Sequence, residues 1–376
     1  MPTAHPHEET LERICSQTIA KHAPSVDRDS AFPQASIDAL AGAGLLGALS
    51  STESGGLGLS LTSVAGIVRR VAEECGSTAM VLTMHYCGVS VLEAYASLEV
   101  RREAAAGRHL STLAFSEAGS RSHFWAPVST ARREGDRIVL DARKSWVTAA
   151  SKASGYVWSS QPLQPNAGMS TLWLVPAGAP GLQVQGPFDG LGLRGNDSSP
   201  VFANATPIAE SAMLGEDGKG FDIMMGTVLP LFNVLNAACS VGLMEAAVQR
   251  TAQHASGVRY AHLGSTLADL PTIRNYIARM RIRTDMTRAL LDDTISAIES
   301  GRPDTMLRVL SCKAAAGEAA TEVLDTAMRV CGGAAYRKDL AVERYFRDAH
   351  AAGIMGPTTD VLYDFVGKAV CGMNLF

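Results

Sequence analysis

The sequence predicts an α+β fold in which a helical N-terminal domain, a central β domain and a helical C-terminal domain follow one another. Apolar residues recur at three- and four-residue spacing from about residue 7 to residue 107, which is typical of amphipathic helices. From about residue 109 to residue 212 the apolar runs are short and are separated by Gly, Pro, Asn and Asp, as in strands joined by turns. The helical spacing then returns almost to the C-terminus. We therefore predict domains at 1–110, 111–214 and 215–376.

Within the first domain, helices are predicted for EETLERICSQTIAKHA, QASIDALAGAGLLGAL and the long run that begins at Leu61. The Gly- and Ser-rich stretch SSTESGGLGLSL separates the second from the third. The central domain is predicted to be a barrel-like β unit, with strands in RIVLDARKSWVTAA, GYVWSS, TLWLVPA and LQVQGPF. Ala-rich helical segments at 235–255, 268–300, 304–331 and 338–349 predict a C-terminal four-helix bundle.

Composition and charge narrow the classes of function. The chain is 47% hydrophobic and 19% charged, as in an ordinary globular protein, and its net charge of -4 offers no basic surface for nucleic acid or anionic lipid. The N-terminus lacks an apolar signal core, and no window approaches the roughly 18 continuous apolar residues of a membrane helix. We therefore expect a cytoplasmic protein that binds neither nucleic acid nor a membrane.

The cysteines indicate a reduced protein without a structural metal. There are 7 of them, scattered and never spaced as CxxC, which argues against both a disulfide framework and a zinc site. We expect small, reduced core side chains and no metal ligands.

Three stretches combine residue types that suit a planar cofactor. LAFSEAGSRSHF begins as a strand and ends in small polar residues, which suit either a surface turn or a backbone that approaches a phosphate or a polar ring edge. RKSWVTAAS sets Trp146 and Thr148 two residues apart on one strand, so both are predicted to face the same side, as an aromatic wall with a hydroxyl or as ordinary core. MRVCGGAAY breaks a helix at Gly332 and Gly333, which is a helix cap or a close backbone approach to a ligand.

Taken together and in this order, these stretches resemble the acyl-CoA dehydrogenase superfamily over nearly the whole chain. FSEAGSRS is similar to the family's flavin-binding loop, and SWVT, RVCGGAAY and RYFRDA are similar to later family motifs. The resemblance implies FAD as the cofactor and an acyl thioester, carried by CoA or by a carrier protein, as the substrate. It also implies a homodimer or homotetramer, because FAD contacts cross subunits in the family.

The resemblance assigns cofactor-binding roles residue by residue. It implies that Phe115 and Ser116 lie beside the isoalloxazine ring of FAD and that Ser122 contacts its pyrophosphate. It also implies that Trp146 packs against the flavin and that Thr148 lies near the flavin's N5 atom. A second group implied to contact FAD from the C-terminal domain comprises Arg259, Arg329, Gly332, Gly333, Thr358 and Asp360. The match at Arg259 is offset by one residue, since Tyr260 stands at the family's Arg place when counted back from Gly264. In the flavin loop, Ala118, Arg121 and His123 replace the family's Pro, Gly and Asp.

The largest departure concerns the catalytic base. In most members a Glu near the C-terminus removes the substrate's α-proton, and alignment from RDA in RYFRDA puts Gly356 at that position, followed by Pro357. Other members carry the Glu on a central helix, and alignment through VGLM puts Phe232 there, with Asn233 in the place of a neighbouring Arg. Neither position retains an acid.

Other residues are candidates for the remaining roles. His85 falls on the helix that lines the acyl pocket in the family, so it is a candidate base or a structural residue. Arg121 and His123 are candidate contacts for an anionic substrate group or are solvated loop residues, and Phe232 and Asn233 are candidate substrate contacts.

Three functions follow from the resemblance and the missing base. The first, which the loss of both acids favours, is a flavin oxygenase or oxidase on the dehydrogenase fold, with a flavin reductase as a possible partner. The second is an acyl-CoA dehydrogenase whose base has moved. The third is an inactive flavin-binding subunit, for which we expect a sealed cavity.

Overall fold

The computed structural model describes residues 6–120, 123–262 and 264–375. The N-terminal domain is helical, and a π-helical turn at Cys15–Ile19 joins its first two helices. Helix α5 is buried along almost its whole length and packs against the first strand of the β domain, which explains why its apolar residues surround the helix instead of forming a stripe. The helices are α1 Pro6–Ile14, α2 Ala20–Arg28, α3 Gln34–Gly42, α4 Leu61–Ala72, α5 Gly76–Tyr95 and α6 Leu98–Ala105.

The central domain consists of two four-stranded sheets. Its strands are β1 Ser111–Ala114, β2 Thr130–Glu134, β3 Arg137–Val147, β4 Gly155–Ser160, β5 Thr171–Pro176, β6 Leu182–Val184, β7 Ser199–Ala209 and β8 Met213–Leu214. One sheet has the order β1-β4-β5-β8 and the other β2-β3-β7-β6, and only the β1-β4 pair is parallel. Inward-facing side chains of both sheets, among them Leu140, Trp158 and Trp173, share one core. The barrel-like unit predicted from sequence is thus a pair of sheets around a common core.

The C-terminal domain is a helical bundle. Helices α8, α9, α10 and α13 pack on one another, with α10 in contact with the other three. A π-helical turn, Met224–Val228, precedes α8, and left-handed Gly301 ends α9. The helices are α7 Gly220–Ile223, α8 Leu229–Gly257, α9 Pro271–Ser300, α10 Thr305–Cys331, α11 Val342–Ala349, α12 Ala351–Ile354 and α13 Thr359–Val370.

The helical stretch Gly220–Gly257 contains the central helix of the whole chain. It is long and apolar enough to cross a membrane by length and composition, which the sequence analysis did not anticipate. Its apolar window is 89% buried inside the protein, however, as expected of a core helix. Helix α8 contacts α4, α5, α9, α10 and α11, so it joins the two helical domains.

One polar cluster ties the three domains together. The guanidinium of Arg347 on α11 forms a two-pronged ion pair with Asp27 of α2, at 2.8 and 2.6 Å, and donates to the carbonyl oxygen of Leu191 in the β domain at 3.0 Å. Next to it, the amide of Leu193 donates to a carboxylate oxygen of Asp348 at 2.6 Å. Burial raises the pKa of Asp348 to about 6, although this amide and Arg344 oppose the shift. The cluster fixes how the domains meet.

Replacing Arg347 with Met is expected to lower the free energy of unfolding by about 3–5 kcal/mol, because it leaves the largely buried carboxylate of Asp27 without its partner. The matched control is Arg28→Met, which removes an exposed arginine from its pair with Asp29 and should change stability far less, because water screens this pair. Urea unfolding followed by circular dichroism measures both. Equal effects of the two substitutions would contradict the role given to the cluster.

Candidate functional site

A cleft opens where the three domains meet. Helix α5, strand β1 and the turn into α8 supply apolar side chains, and Gly356 closes one side from the segment between α12 and α13. The loop after β1 and the end of β3 supply the rest, including the cleft's two hydroxyl groups. The lining residues are Met84, Leu113, Phe115, Ser116, Phe124, Ser145, Trp146, Val228, Leu229, Phe232 and Gly356. None of these residues carries a carboxylate, an imidazole or an amine.

The loop that begins at Phe115 is fixed to strand β3 next to the cleft. The amide of Ser145 donates to the carbonyl oxygen of Ser116 at 2.9 Å. This bond brings the two serines side by side, and both line the cleft together with Phe115. The predicted contacts of Phe115 and Ser116 with the flavin stay predictions. Ser145 was not predicted.

A buried ion pair supports this loop from behind. The ammonium of Lys144, which is fully buried, lies 2.5 Å from one carboxylate oxygen of Glu117 and 2.7 Å from the carbonyl oxygen of Ser159. The other oxygen of Glu117 accepts the amides of Val128 and Ser129 at 2.7 and 3.0 Å. Burial raises the pKa of Glu117, but Lys144 and these donors lower it more, so its pKa lies below the usual range and the carboxyl is ionised.

Sequence analysis missed this pair, although one signal was present. Ile138, Leu140, Ala142 and Lys144 alternate along β3 and all point inward. A lysine at an inward position requires a buried partner, because an unpaired buried charge is strongly unfavourable. Glu117 supplies it from the loop predicted to hold the flavin.

Trp146 and Thr148 do not face the same side, so that prediction is wrong. The pairing of β3 with β7 shifts register between Lys144 and Val147, and Trp146 adopts a positive φ of 59°. This bulge turns the indole of Trp146 outward, 70% exposed, where it lines the cleft. Thr148 is only 1% exposed, and its hydroxyl forms a 3.2 Å hydrogen bond with the hydroxyl of Ser198. Strict alternation along the strand does not hold across a bulge.

His85 is not available as a base, which corrects its assignment as a catalytic candidate. It is fully buried on α5. Its Nδ1 accepts the amide of Ser111 at 3.1 Å, and its Nε2 lies 3.1 Å from the carbonyl oxygen of Leu46, to which it donates in that tautomer. Burial lowers the pKa of His85 to about 4. The residue is a structural link between the N-terminal domain and β1.

Phe232 and Gly356, the two residues that the resemblance aligns with the family's acid, both line this cleft. Phe232 enters from α8 and Gly356 from the segment after α12. Asn233, predicted to contact substrate, does not line the cleft. It is fully buried, and its amide nitrogen donates to the carbonyl oxygen of Val309 on α10 at 3.2 Å, because the next residue along a helix points about 100° away. That assignment is therefore wrong.

The cofactor contacts predicted from the C-terminal domain do not line the cleft of this single chain. Arg259 is exposed just after α8, and the guanidinium of Arg329 lies 5.7 Å from the ring centre of Tyr276. Gly332, at a φ of 54°, and Gly333 are exposed where α10 ends. Their roles stay predictions.

The segment after Gly356 starts a helix. Thr358 is the N-cap of α13 and accepts the amide of Val361, while Asp360 is exposed in the first turn. Neither lines the cleft, so their predicted contacts with FAD also stay predictions.

The remaining candidates lie in the loop between β1 and β2. Arg121 and Ser122 are outside the described residues. His123 is exposed, and its ring meets the indole of Trp125 edge-on at 5.1 Å between centres. It is not among the lining residues.

Models of one protein family match the chain in three pieces. The N-terminal domain of acyl-CoA dehydrogenase matches residues 4–107, the middle domain residues 112–205 and the C-terminal domain residues 218–371. The chain is similar to the human short-chain specific acyl-CoA dehydrogenase, mitochondrial, with 30% identity over 362 residues, which cover 94% of this chain and 86% of the relative.

Two solved structures share the fold. Butyryl-CoA dehydrogenase from Megasphaera elsdenii superimposes with a TM-score of 0.91 at 21% identity and covers 99% of both chains. A prolyl acyl carrier protein oxidase superimposes with a TM-score of 0.88 at 18% identity and covers 98% of this chain and 99% of the other.

Replacing Lys144 with Met is expected to weaken FAD binding at least tenfold, because it leaves the ionised Glu117 unpaired beside the loop that lines the cleft. Arg143→Met is the matched control, since Arg143 is the next residue on the strand but is exposed. The ratio of flavin to protein absorbance after gel filtration, and titration of the stripped protein with FAD, measure the effect. The double substitution Glu117→Gln with Lys144→Met should restore part of the lost affinity for FAD, because no unpaired buried charge remains. Retention of FAD by Lys144→Met at the level of the control would contradict this account.

Proposed function

Because the chain belongs to the acyl-CoA dehydrogenase family, we propose that it oxygenates an acyl thioester with reduced flavin and O₂, a reaction that requires no removal of an α-proton. Members of this family are flavin-dependent oxidoreductases, and FAD is the cofactor. The cleft fits a flavin, since the exposed, outward-turned indole of Trp146 offers a flat apolar surface next to the hydroxyls of Ser116 and Ser145.

The observation that carries this proposal is the chemistry of the cleft lining. The resemblance aligns Phe232 and Gly356 with the two positions of the family's acid. Both line the cleft, and none of the described residues that line it has a group that accepts a proton at neutral pH. General-base catalysis needs such a group within about 3 Å of the proton, directly or through one water. A cleft without one does not assist removal of the α-proton.

Three titratable residues are candidates for a replacement base, and none of them lines the cleft. His85 uses both ring nitrogens on backbone groups. Lys313 lies behind Phe232, with its ammonium on three backbone carbonyl oxygens. Asp360 is exposed at the start of α13. None of them stands in for the missing Glu.

The residues of the cleft suit chemistry that requires exclusion of water. Phe115, Phe124, Leu229 and Phe232 form apolar walls, and the hydroxyls of Ser116 and Ser145 offer hydrogen bonds to a polar ring edge or to the thioester carbonyl. FAD, when bound, accepts electrons from a substrate or, once reduced, delivers them to O₂. An apolar cleft that lacks a base favours reaction with O₂ over plain α,β-dehydrogenation.

A second candidate is an acyl-CoA dehydrogenase whose base lies at an unrecognised position. The observation that favours it is the match at 30% identity to a short-chain dehydrogenase along 94% of the chain. An inactive flavin-binding subunit is the weakest of the three hypotheses, because it predicts a sealed cavity, whereas this cleft reaches the surface at Trp146.

The proposal extends to partners. A thioester of CoA is the default substrate, and a carrier protein is the alternative, since a neighbour of the same fold acts on an acyl carrier protein according to its name. An oxygenase also needs a source of electrons, for which a flavin reductase is the simplest. We further propose a cytoplasmic homodimer or homotetramer, in which residues such as Arg259 reach the FAD of a neighbouring subunit.

The deciding experiment mixes FAD-loaded protein with a panel of acyl-CoAs without oxygen and follows the visible flavin absorbance. We expect no bleaching. We expect a hydroxylated or cleaved product when O₂ and a reductant, reduced flavin or NAD(P)H, are supplied. Rapid anaerobic bleaching by any thioester would overturn the proposal in favour of the dehydrogenase with a relocated base.

Introducing the acid at Gly356 tests the geometry directly. The substitution Gly356→Glu places a carboxylate at the wall of the cleft and is expected to raise the rate of anaerobic flavin reduction by a thioester about 10²-fold or more, the usual contribution of a positioned base. Gly356→Gln has nearly the same shape but no base and is the control. Equal rates for the two variants would mean that position 356 does not face the substrate's α-carbon.

A further inference from the structure

A fully buried lysine lies directly beneath the segment that carries Gly356. Lys313 is on α10, and its ammonium donates to the carbonyl oxygens of Ala352, Met355 and Pro357 at 2.9, 3.0 and 2.8 Å. A protonated amine has three protons to donate, so every one of them is used on this single stretch of backbone.

The charge of Lys313 has no acidic counterpart. No carboxylate of the described residues lies within ion-pair distance of it, and burial alone lowers its pKa to about 7. Carbonyl dipoles are therefore what compensates the ammonium, including those at the end of the short helix α12. Burying a charge in this way costs desolvation free energy. A methionine of similar size would fill the same space without that cost, so packing alone does not explain the lysine.

The position of the ammonium supplies that reason. Two of its acceptors, Met355 and Pro357, flank Gly356, which lines the cleft. Its Nζ also lies 5.8 Å from the ring centre of Phe232, which lines the cleft from α8. The ammonium of Lys313 thus contacts the backbone on both sides of Gly356 and the ring of Phe232, the two residues that the resemblance aligns with the family's acid.

A second buried side chain holds the same segment. The amide nitrogen of Asn236, one turn further along α8 than Phe232, lies 3.8 Å from the sulfur of Met355. Helices α8 and α10 therefore both fix the turn at Met355 by polar contacts, in a part of the chain where the cleft itself offers few polar groups.

We propose that Lys313 is a positioning residue of the active site, which fixes the Met355–Pro357 turn and thereby sets the shape of the cleft wall formed by Gly356 and Phe232. Gly356 has no side chain that could anchor the segment, and three charge-assisted hydrogen bonds from Lys313 hold its backbone in place. The proposal rests on the proposed function only in taking the cleft as the substrate site.

The first test needs no ligand beyond bound FAD. Amide hydrogen exchange, read by mass spectrometry on the full chain, compares wild type with Lys313→Met. We expect exchange in a peptide covering residues 351–358 to become at least tenfold faster, with peptides from α8 and from the rest of α10 close to wild type. Lys368→Met is the matched control, because Lys368 on α13 also donates to a backbone carbonyl but is partly exposed, and it should leave 351–358 unchanged. Unchanged exchange at 351–358, or equal acceleration everywhere, would overturn the proposal.

Conservative variants keep the test decisive if Lys313→Met does not fold. Lys313→Arg retains a charged donor and Lys313→Gln retains a neutral one, so protection of residues 351–358 should fall in the order wild type, Arg, Gln. Equal protection in the Arg and Gln variants would contradict a role for the charge.

The functional readout is the affinity for butyryl-CoA, measured from the change that binding causes in the visible flavin spectrum. Lys313→Met is expected to bind it at least tenfold more weakly at unchanged FAD content, and Lys313→Arg to recover part of that loss. Equal affinity of wild type and Lys313→Met would show that the lysine does not shape the cleft. If wild type itself does not bind any thioester, the proposed substrate class fails, whereas the exchange experiment still decides the role of Lys313.

Discussion

The cleft depends on a fixed meeting of three domains, and the ion pair between Arg347 and Asp27 is the interaction that sets it. Arg347 also holds the carbonyl oxygen of Leu191, and its neighbour Asp348 holds the amide of Leu193, so one turn of α11 contacts both other domains. Each domain contributes one wall of the cleft. Because the walls come from separate domains, a shift of this junction would change the cleft even if every domain kept its own structure.

The charged side chains next to the cleft lie behind the residues that line it and are not themselves part of the lining. Lys144 and Glu117 support the loop on one side, and Lys313 supports the segment of Gly356 on the other. Buried charges of this kind contribute little net stability, because their desolvation offsets their attraction. What they provide is a defined backbone position, since each has several partners that must all be satisfied at once. The result is an apolar, unreactive surface with rigid support.

The domain order and the long helices could be predicted from sequence, because apolar spacing directly reflects which faces are buried. The resemblance to a known family, not the apolar spacing, singled out Phe115, Ser116, Trp146, Phe232 and Gly356. All five line the cleft, and their contacts with FAD or substrate stay predictions. The prediction that Thr148 faces the same side as Trp146 failed because a bulge reverses the facing of a strand, and the assignment of Asn233 failed because a helical residue's direction depends on its neighbours. For His85, the structure supports the structural role and not the catalytic one. Lys313 gave no signal, since its partners are backbone carbonyls 39 to 44 residues away.

We propose that none of the described residues that line this cleft removes a proton from the α-carbon of a thioester. Exchange of that proton with solvent tests it most directly, because exchange requires a base but no electron transfer. Butyryl-CoA would be incubated with the FAD-loaded protein in D₂O without oxygen, and the α-proton signal followed by NMR. We expect the same slow loss of signal as in a sample without protein. Deuterium incorporation at the α-carbon that depends on the protein would reveal a base and contradict the proposal.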